Sequence, residues 1–353
     1  MYLFNKSDTF NHSKMKGDAV TQKEDPVSDA RRRFLNAVPK GPLASESVPL
    51  SAARGRILAE TLTAVMDDPP YSRSIMEGYV LCVADVEDAS AEGPIVLDVA
   101  GNILVGQPDA AGLAPGKVLQ VTTGSFIPEG PYAVVRAWDV KRRGDQIAVS
   151  KPARLHENIE VRGESRKKGR VLLSGHRAIS ADDVFLLASQ GILNIPVTCK
   201  PKVALFSSGD EVIPPTKPFR IGAIWDCNAH GLSALIEEAG GDALFQGIVK
   251  DDPVDFTGRL KKALETADMA VISGGTAVGG EDFTAALIDA AGAPGTIVNG
   301  IPMRSGKPIV LGVADGKPVV CVAGHPPEAA RGFRLFGRDV IAHLLGAVVS
   351  GHS

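Results

Sequence analysis

No two cysteines of this chain stand at C-x-x-C spacing. The four present among 353 residues, Cys82, Cys199, Cys227 and Cys321, are scattered, which argues against a disulfide framework or a cysteine-based zinc site. A reducing compartment fits best, and a cytoplasmic location is expected. The N-terminus lacks an apolar core of signal-peptide length, and no window approaches the roughly 20 apolar residues a membrane helix needs. Neither sign of charge is in excess. Lys plus Arg total 38 against 41 Asp plus Glu, a net charge of -3, so no global field recruits nucleic acid or an acidic membrane. Gly-x-Ser-x-Gly is absent too, as is any Ser/His/Asp set, which argues against hydrolysis by a serine triad. What is present is length: enough chain for two or three domains and a buried core.

Residues 1–27 are polar with little periodicity and read as a disordered tail. From about Ser28 to Leu62 the pattern is helical, interrupted by "VPKGPLASESVPL", where Pro39, Gly41, Pro42 and Pro49 forbid a continuous helix; two short helices around a loop are expected. Short apolar runs separated by glycine and proline, "GPIVLDVA", "KVLQVTTG", "YAVVRAW" and "DQIAVSKP", then mark a small β-rich domain over 67–150. "SADDVFLLASQGI" returns to helix, with Ser180 as cap, Asp182 and Asp183 in the first turn and Gly191 as terminator. "LNIPVTCKPK" reads as a linker, and residues 28–66 with 151–197 are expected to form one discontinuous linker domain.

From 198 onward strand and helix alternate, the signature of an α/β domain with a mainly parallel sheet. Its expected elements are the strand "KVALF", a helix from about Asn228 placing Leu232, Leu235, Ile236 and Ala239 on one face, and a helix around Phe256 to Thr266. The strand "MAVIS", a hairpin turning at Asp315 and Gly316, and a long helix from about Pro326 complete the domain.

Ligands of open α/β sheets bind beyond the carboxyl ends of the strands. Four loops there carry chemistry: "SSGDEV" (207–212), "KDDP" (250–253), "GGTAVGGED" (274–282) and "AGHPPE" (323–328). Ser207, Ser208 and Gly209, then Gly274, Gly275, Thr276 and Gly279, suit an oxyanion, because bare backbone lets phosphate approach main-chain amides. Glu211, Asp251 and Asp282, with Asp210 nearby, suit Mg²⁺. Each carboxylate taken singly is equally a helix cap or turn residue. Arg304 and Lys307 in "MRSGKP" add positive charge for phosphate or molybdate, or else form a solvated turn. Gly324 and His325 stand in a strand-to-helix turn, where the histidine is either a donor to an anion or a structural residue.

These motifs, taken with "GRILAE", "DDPPYSRSIMEGYV", "TTGSFIPEGPYAVV", "ENIEVRGE" and "DCN" in the same order, resemble the molybdopterin molybdenumtransferases, the molybdenum insertases that include the gephyrin E domain. The resemblance covers about residues 28 to 349. It implies a three-layer molybdopterin-binding α/β domain, a β-rich domain and a helical and extended linker domain. It also implies an enzyme that hydrolyses adenylylated molybdopterin with Mg²⁺, releases AMP and places molybdenum from molybdate on the dithiolene. By motif position Glu77, Thr123, Glu211, Asp251 and Asp282 fall on catalytic positions, the last three on the metal. Lys307 falls on a lysine of the anion pocket. A homodimer is implied, with the β-rich domain reaching over the partner's α/β domain, and a molybdopterin adenylyltransferase or a molybdoenzyme is a further implied partner.

The chain also departs from the family pattern. Glu77 stands for aspartate, Ser165 for the aspartate of Arg-Gly-Glu-Asp, Ala277 for serine, and Gly300 and Arg304 for lysines. "VAGHPPEA" replaces Pro-Gly-Asn-Pro-x-Ser, so Ala323, His325 and Glu328 differ, and Glu328 puts a carboxylate where molybdate is expected. The sequence stops after the long helix, where the family continues into a small β-domain. Two readings stay open: a divergent insertase, or a non-catalytic molybdopterin-binding or adaptor paralogue.

Overall fold

The computed structural model describes residues 25–39, 41–107, 112–250, 252–275, 283–301 and 309–347. Two compact units emerge, one of Met1–Gly41 with Lys200–His343, the other of Pro42–Cys199 with Leu344–Ser353.

The first unit opens with α1 (Pro26–Ala37), which starts inside the expected tail because Asp25 caps it and Pro26 is preset for a first helical turn. This helix belongs with the α/β unit, whereas the sequence reading grouped its residues with the linker. The unit continues through β1 (Lys202–Ser208), α2 (Asn228–Glu238), β2 (Asp242–Val249), α3 (Pro253–Leu264), β3 (Met269–Ser273) and α4 (Phe283–Ala291). β4 (Pro294–Asn299), β5 (Val310–Ala314), β6 (Lys317–Val322), α5 (Pro326–Gly332) and α6 (Arg338–Leu345) follow. The six strands lie in the order β2-β1-β3-β6-β5-β4. The first four run parallel; β5 pairs antiparallel with β6, and β4 antiparallel with β5. Parallel strands are covered on both faces, which is why "MAVIS" carries no alternation: Met269 to Ile272 have no exposed surface. The β5–β6 hairpin turns at Asp315 and Gly316, both at positive φ as a tight two-residue turn requires. The expected long helix is interrupted by a π-helical turn, Phe333–Gly337, between α5 and α6. Because β2 and β3 lie on opposite sides of β1, chain direction switches there and opens a crevice at the strands' carboxyl ends.

In the second unit, strands Tyr132–Arg136, Gly78–Cys82, Lys117–Val121, Ile95–Ile103, Gln146–Val149 and Lys141–Arg143 form a six-stranded sheet in that order. Two expectations fail nearby. The second expected helix, between the interruption and Leu62, is instead a 3-10 turn, Leu50–Ala52, followed by turns and isolated bridges at Ile57 and Leu58; the interruption itself holds strand Ser45–Pro49, and the segment read as a linker holds strand Asn194–Thr198, its antiparallel partner. Pro49 and Pro196 tolerate this pair because a two-stranded ribbon has outer edges.

Helix Ala181–Ser189 does begin as expected, with a full capping box: Asp183 N–H donates to Ser180 Oγ, and Ser180 N–H donates to Asp183 Oδ2 at 2.8 Å. Burial opposes the charge of Asp183, but bonds from Arg177 and Ser180 outweigh it and hold the carboxyl below its ordinary 3.8. A depressed folded-state pKa means that this stabilisation is complete above the unfolded value and is lost as pH falls through the folded one. Asp183→Asn is therefore expected to cost about 1 kcal/mol at pH 7. Urea titrations should show that difference shrinking below pH 3.8.

Candidate active site

The crevice at the carboxyl ends of β1, β3 and β6 is a cavity of about 610 Å³. Ser207, Ser208, Gly209 and Glu211 come from the end of β1 and its loop, Gly274 and Gly275 from beyond β3, and Gly324 and His325 from beyond β6; all eight line it. The loop residues of three separate strands thus converge, as their shared place in the topology required. Asp251, Thr276, Gly279, Asp282, Arg304 and Lys307, with Ala277, lie outside the described residues. Asp252, the neighbour of Asp251, is a helix cap that accepts from Val254 and Asp255 N–H groups.

Glu77 and Thr123 belong to the other unit, where they share one sheet end. Glu77 precedes strand Gly78–Cys82, Thr123 follows Lys117–Val121, and Gly78 pairs with Val121. Gly124 N–H donates to Ser74 O and Ser74 N–H to Ser125 O, stitching the two turns together, and both side chains are exposed.

Among the further lining residues are Trp225, Asp226, Asn228 and Ser273, none of them singled out from the sequence as a binding residue. "DCN" holds two of these positions, Asp226 and Asn228, but it precedes a helix rather than ending a long apolar run. Asn228 Nδ2 donates to Ser273 Oγ and to Gly324 O, both at 2.7 Å, so one side chain ties the β3 loop to the β6 loop. Ser273 Oγ in turn donates to Ala323 O. Asp226 is 4% exposed; its Oδ1 accepts from Ala229 N–H at 2.9 Å at the start of α2, while Oδ2 has no hydrogen-bond partner among the described residues. Ser207 Oγ, equally enclosed, has none either. Buried polar groups are normally satisfied, so two such atoms in one cavity wall point to a ligand.

Packing alone accounts for one glycine of the loop. Gly274 sits at φ +96°, and a Cβ there would lie 2.4 Å from the Ser208 carbonyl oxygen. At Gly275 the nearest atom would be Ser208 Oγ at 3.4 Å. Gly274→Ala is expected to destabilise the unit by about 3 kcal/mol, and Gly275→Ala by about 1. Denaturant unfolding of both variants measures the difference, and equal losses would contradict it.

His325 is exposed at the cavity rim rather than buried as a structural histidine, and Glu328 stands in the first turn of α5 with Oε2 3.9 Å from His325 Nε2. An acidic residue there is favoured by the helix dipole. Among the described residues no group of three or more His, Cys, Asp or Glu side chains is placed to hold a metal. No described helix is long and apolar enough to cross a membrane.

Residues 25–191 match the MoeA N-terminal region (domain I and II), and residues 204–343 match the probable molybdopterin binding domain. A molybdopterin molybdenumtransferase of Nostoc sp. is 30% identical over 329 residues, spanning 92% of this chain and 75% of that protein. The chain belongs to the molybdopterin molybdenumtransferase family. Another family member, from Bacillus subtilis, is 30% identical across 90% of the chain and 74% of its own length. The crystal structure of a molybdopterin biosynthesis moeA protein from Pyrococcus horikosii superposes with a TM-score of 0.81 at 32% identity, covering 91% of this chain and 80% of that one. The family is one of enzymes, named for a transfer reaction.

Proposed function

We propose that the chain acts in molybdenum cofactor biosynthesis as a Mg²⁺-dependent insertase, hydrolysing adenylylated molybdopterin, releasing AMP and leaving molybdenum from molybdate on the dithiolene. The observation that carries this reading is the cavity at the switch point of the unit matching the molybdopterin-binding family, walled by Ser207, Ser208, Gly274 and Gly275. Small polar residues and bare backbone suit phosphate oxygens. The Ser207 hydroxyl supplies a donor that nothing among the described residues uses.

The donor set available for Mg²⁺ is all oxygen, as that ion demands: Glu211 on the cavity wall, joined by Asp251 directly after Lys250 and Asp282 directly before α4. When bound, the ion neutralises phosphate charge. The chain's own residues orient the ligand: Ser207 and Ser208 face its oxyanions, and Asn228 holds two loops at fixed separation. Glu77 and Thr123 complete the site from a second copy of the chain in a homodimer. Light scattering is expected to give a dimer at micromolar concentration; a monomer alone would remove those two residues from the site.

The test of function is AMP release from adenylylated molybdopterin by purified protein with Mg²⁺ and molybdate. Release dependent on both additions supports the insertase. Tight molybdopterin binding without release would make the chain a binding protein in a cytoplasmic assembly with an adenylyltransferase or a molybdoenzyme.

A further inference from the structure

Trp225 and Asp226 are consecutive residues on one wall of the cavity, and they differ in every physical respect. The indole is 49% exposed, a large apolar surface left in water beside a polar pocket. It is nonetheless held: Nε1 donates to Lys217 O at 3.0 Å, and Phe219 packs edge-on with ring centroids 5.7 Å apart. A rigid, exposed aromatic face is a stacking platform for another flat ring. Asp226 beside it is buried, fixed through Oδ1 to the start of α2, and has Oδ2 without a partner among the described residues. An ionised carboxylate only accepts hydrogen bonds, so what completes Oδ2 must bring an N–H or O–H.

We propose that Trp225 and Asp226 form the subsite for the pterin end of the ligand. The inference rests on the functional reading above and deepens it. The adenylylated substrate carries two flat heterocycles, and the carboxylate separates them. A pterin in its amide form presents two adjacent donors on one edge, the 2-amino group and N3–H. Adenine presents its amino group next to a bare ring nitrogen, whose lone pair would face the carboxylate. Only the pterin edge matches an acceptor. Stacking on Trp225 holds the ring plane, Asp226 selects the edge, and the phosphate end is left toward Ser207, Ser208 and the glycine loops.

Trp225 and Trp138 are the only two tryptophans, so Trp138→Phe leaves Trp225 as the sole emitter. In that background 6-hydroxymethylpterin is expected to quench Trp225 saturably. 6-Hydroxymethyllumazine, with an oxo group in place of the 2-amino group, is expected to bind at least tenfold more weakly. Asp226→Asn should weaken pterin binding at least tenfold and erase that discrimination, because the amide must keep its oxygen toward Ala229 N–H and so turns its NH₂ toward the ligand's donors. AMP affinity should change less than twofold. The pterin–lumazine comparison needs no change at Asp226, so it holds even if that variant misfolds. Equal affinity for the two pteridines, or an equal loss of AMP binding in Asp226→Asn, would overturn the subsite. Tight molybdopterin binding with no dependence on Asp226 would sink this inference and spare the functional reading; binding of neither molybdopterin nor pterin would sink both.

Discussion

Glu211→Gln is expected to lower Mg²⁺-dependent AMP release at least a hundredfold while leaving the unfolding midpoint unchanged. The glutamine keeps the shape of the side chain and removes only its charge. In the structure the fold uses the backbone of this residue: Glu211 O accepts from Ile224 N–H, whereas the carboxylate faces the cavity from an exposed turn. Loss of one preorganised charged group at a reacting phosphate typically costs a hundred- to a thousandfold in rate. The Mg²⁺ concentration for half-maximal rate should rise in parallel, since the deficit lies in holding the ion. Asp282→Asn is expected to behave alike. Unchanged rate and unchanged Mg²⁺ dependence in both variants would return these carboxylates to ordinary turn and cap residues.

The α/β unit was largely legible in the sequence because its signals are local. Buried parallel strands are continuous apolar runs, and helices such as Asn228–Glu238 show one apolar face, with Leu232 and Ile236 buried as their spacing required. The position of each loop beyond a strand end followed from direction alone, so eight of the proposed binding residues meet in one cavity. The extended ribbon of Ser45–Pro49 with Asn194–Thr198 was not legible. Its strands lie far apart in sequence, contain proline, and are half exposed, so neither segment carries a strong period of its own.

Within the site the same limit applied at finer scale. Hydrogen bonds from one side chain to two distant loops, as Asn228 makes, leave no trace in spacing. The lone oxygen of Asp226 is visible only once every neighbour is placed. Glycine proved ambiguous in the opposite direction: four glycines in "GGTAVGG" suggested a ligand, yet Gly274 is required by the Ser208 carbonyl against it. A motif rich in glycine reports close approach, and the approaching group here is partly the neighbouring strand.

Glu77→Ala is expected to reduce AMP release at least a hundredfold, and Glu77→Asp is expected not to be neutral. The turn that presents Glu77 is fixed without its side chain. Ser74 Oγ donates to Met76 O at 2.6 Å, Ala137 N–H donates to Glu77 O at 3.0 Å, and the next residue must be glycine because a Cβ at Gly78 would lie 1.9 Å from Val135 O. Neither substitution should therefore disturb the fold, and thermal unfolding is expected to agree among the three proteins. What changes is reach. Shortening the side chain by one methylene moves the carboxylate by roughly 1 Å, a displacement that can cost on the order of a hundredfold when a group must meet a reacting centre. If the site has been rebuilt around glutamate, aspartate slows the reaction; if the glutamate is a handicap, aspartate speeds it. Mixing Glu77→Ala with Glu211→Gln then tests the shared site. Each variant is impaired alone, but a mixed dimer pairs the sound half of one copy with the sound half of the other, so partial recovery of AMP release is expected on mixing. Absence of any recovery, with subunit exchange demonstrated, would place both residues in a site built from a single copy.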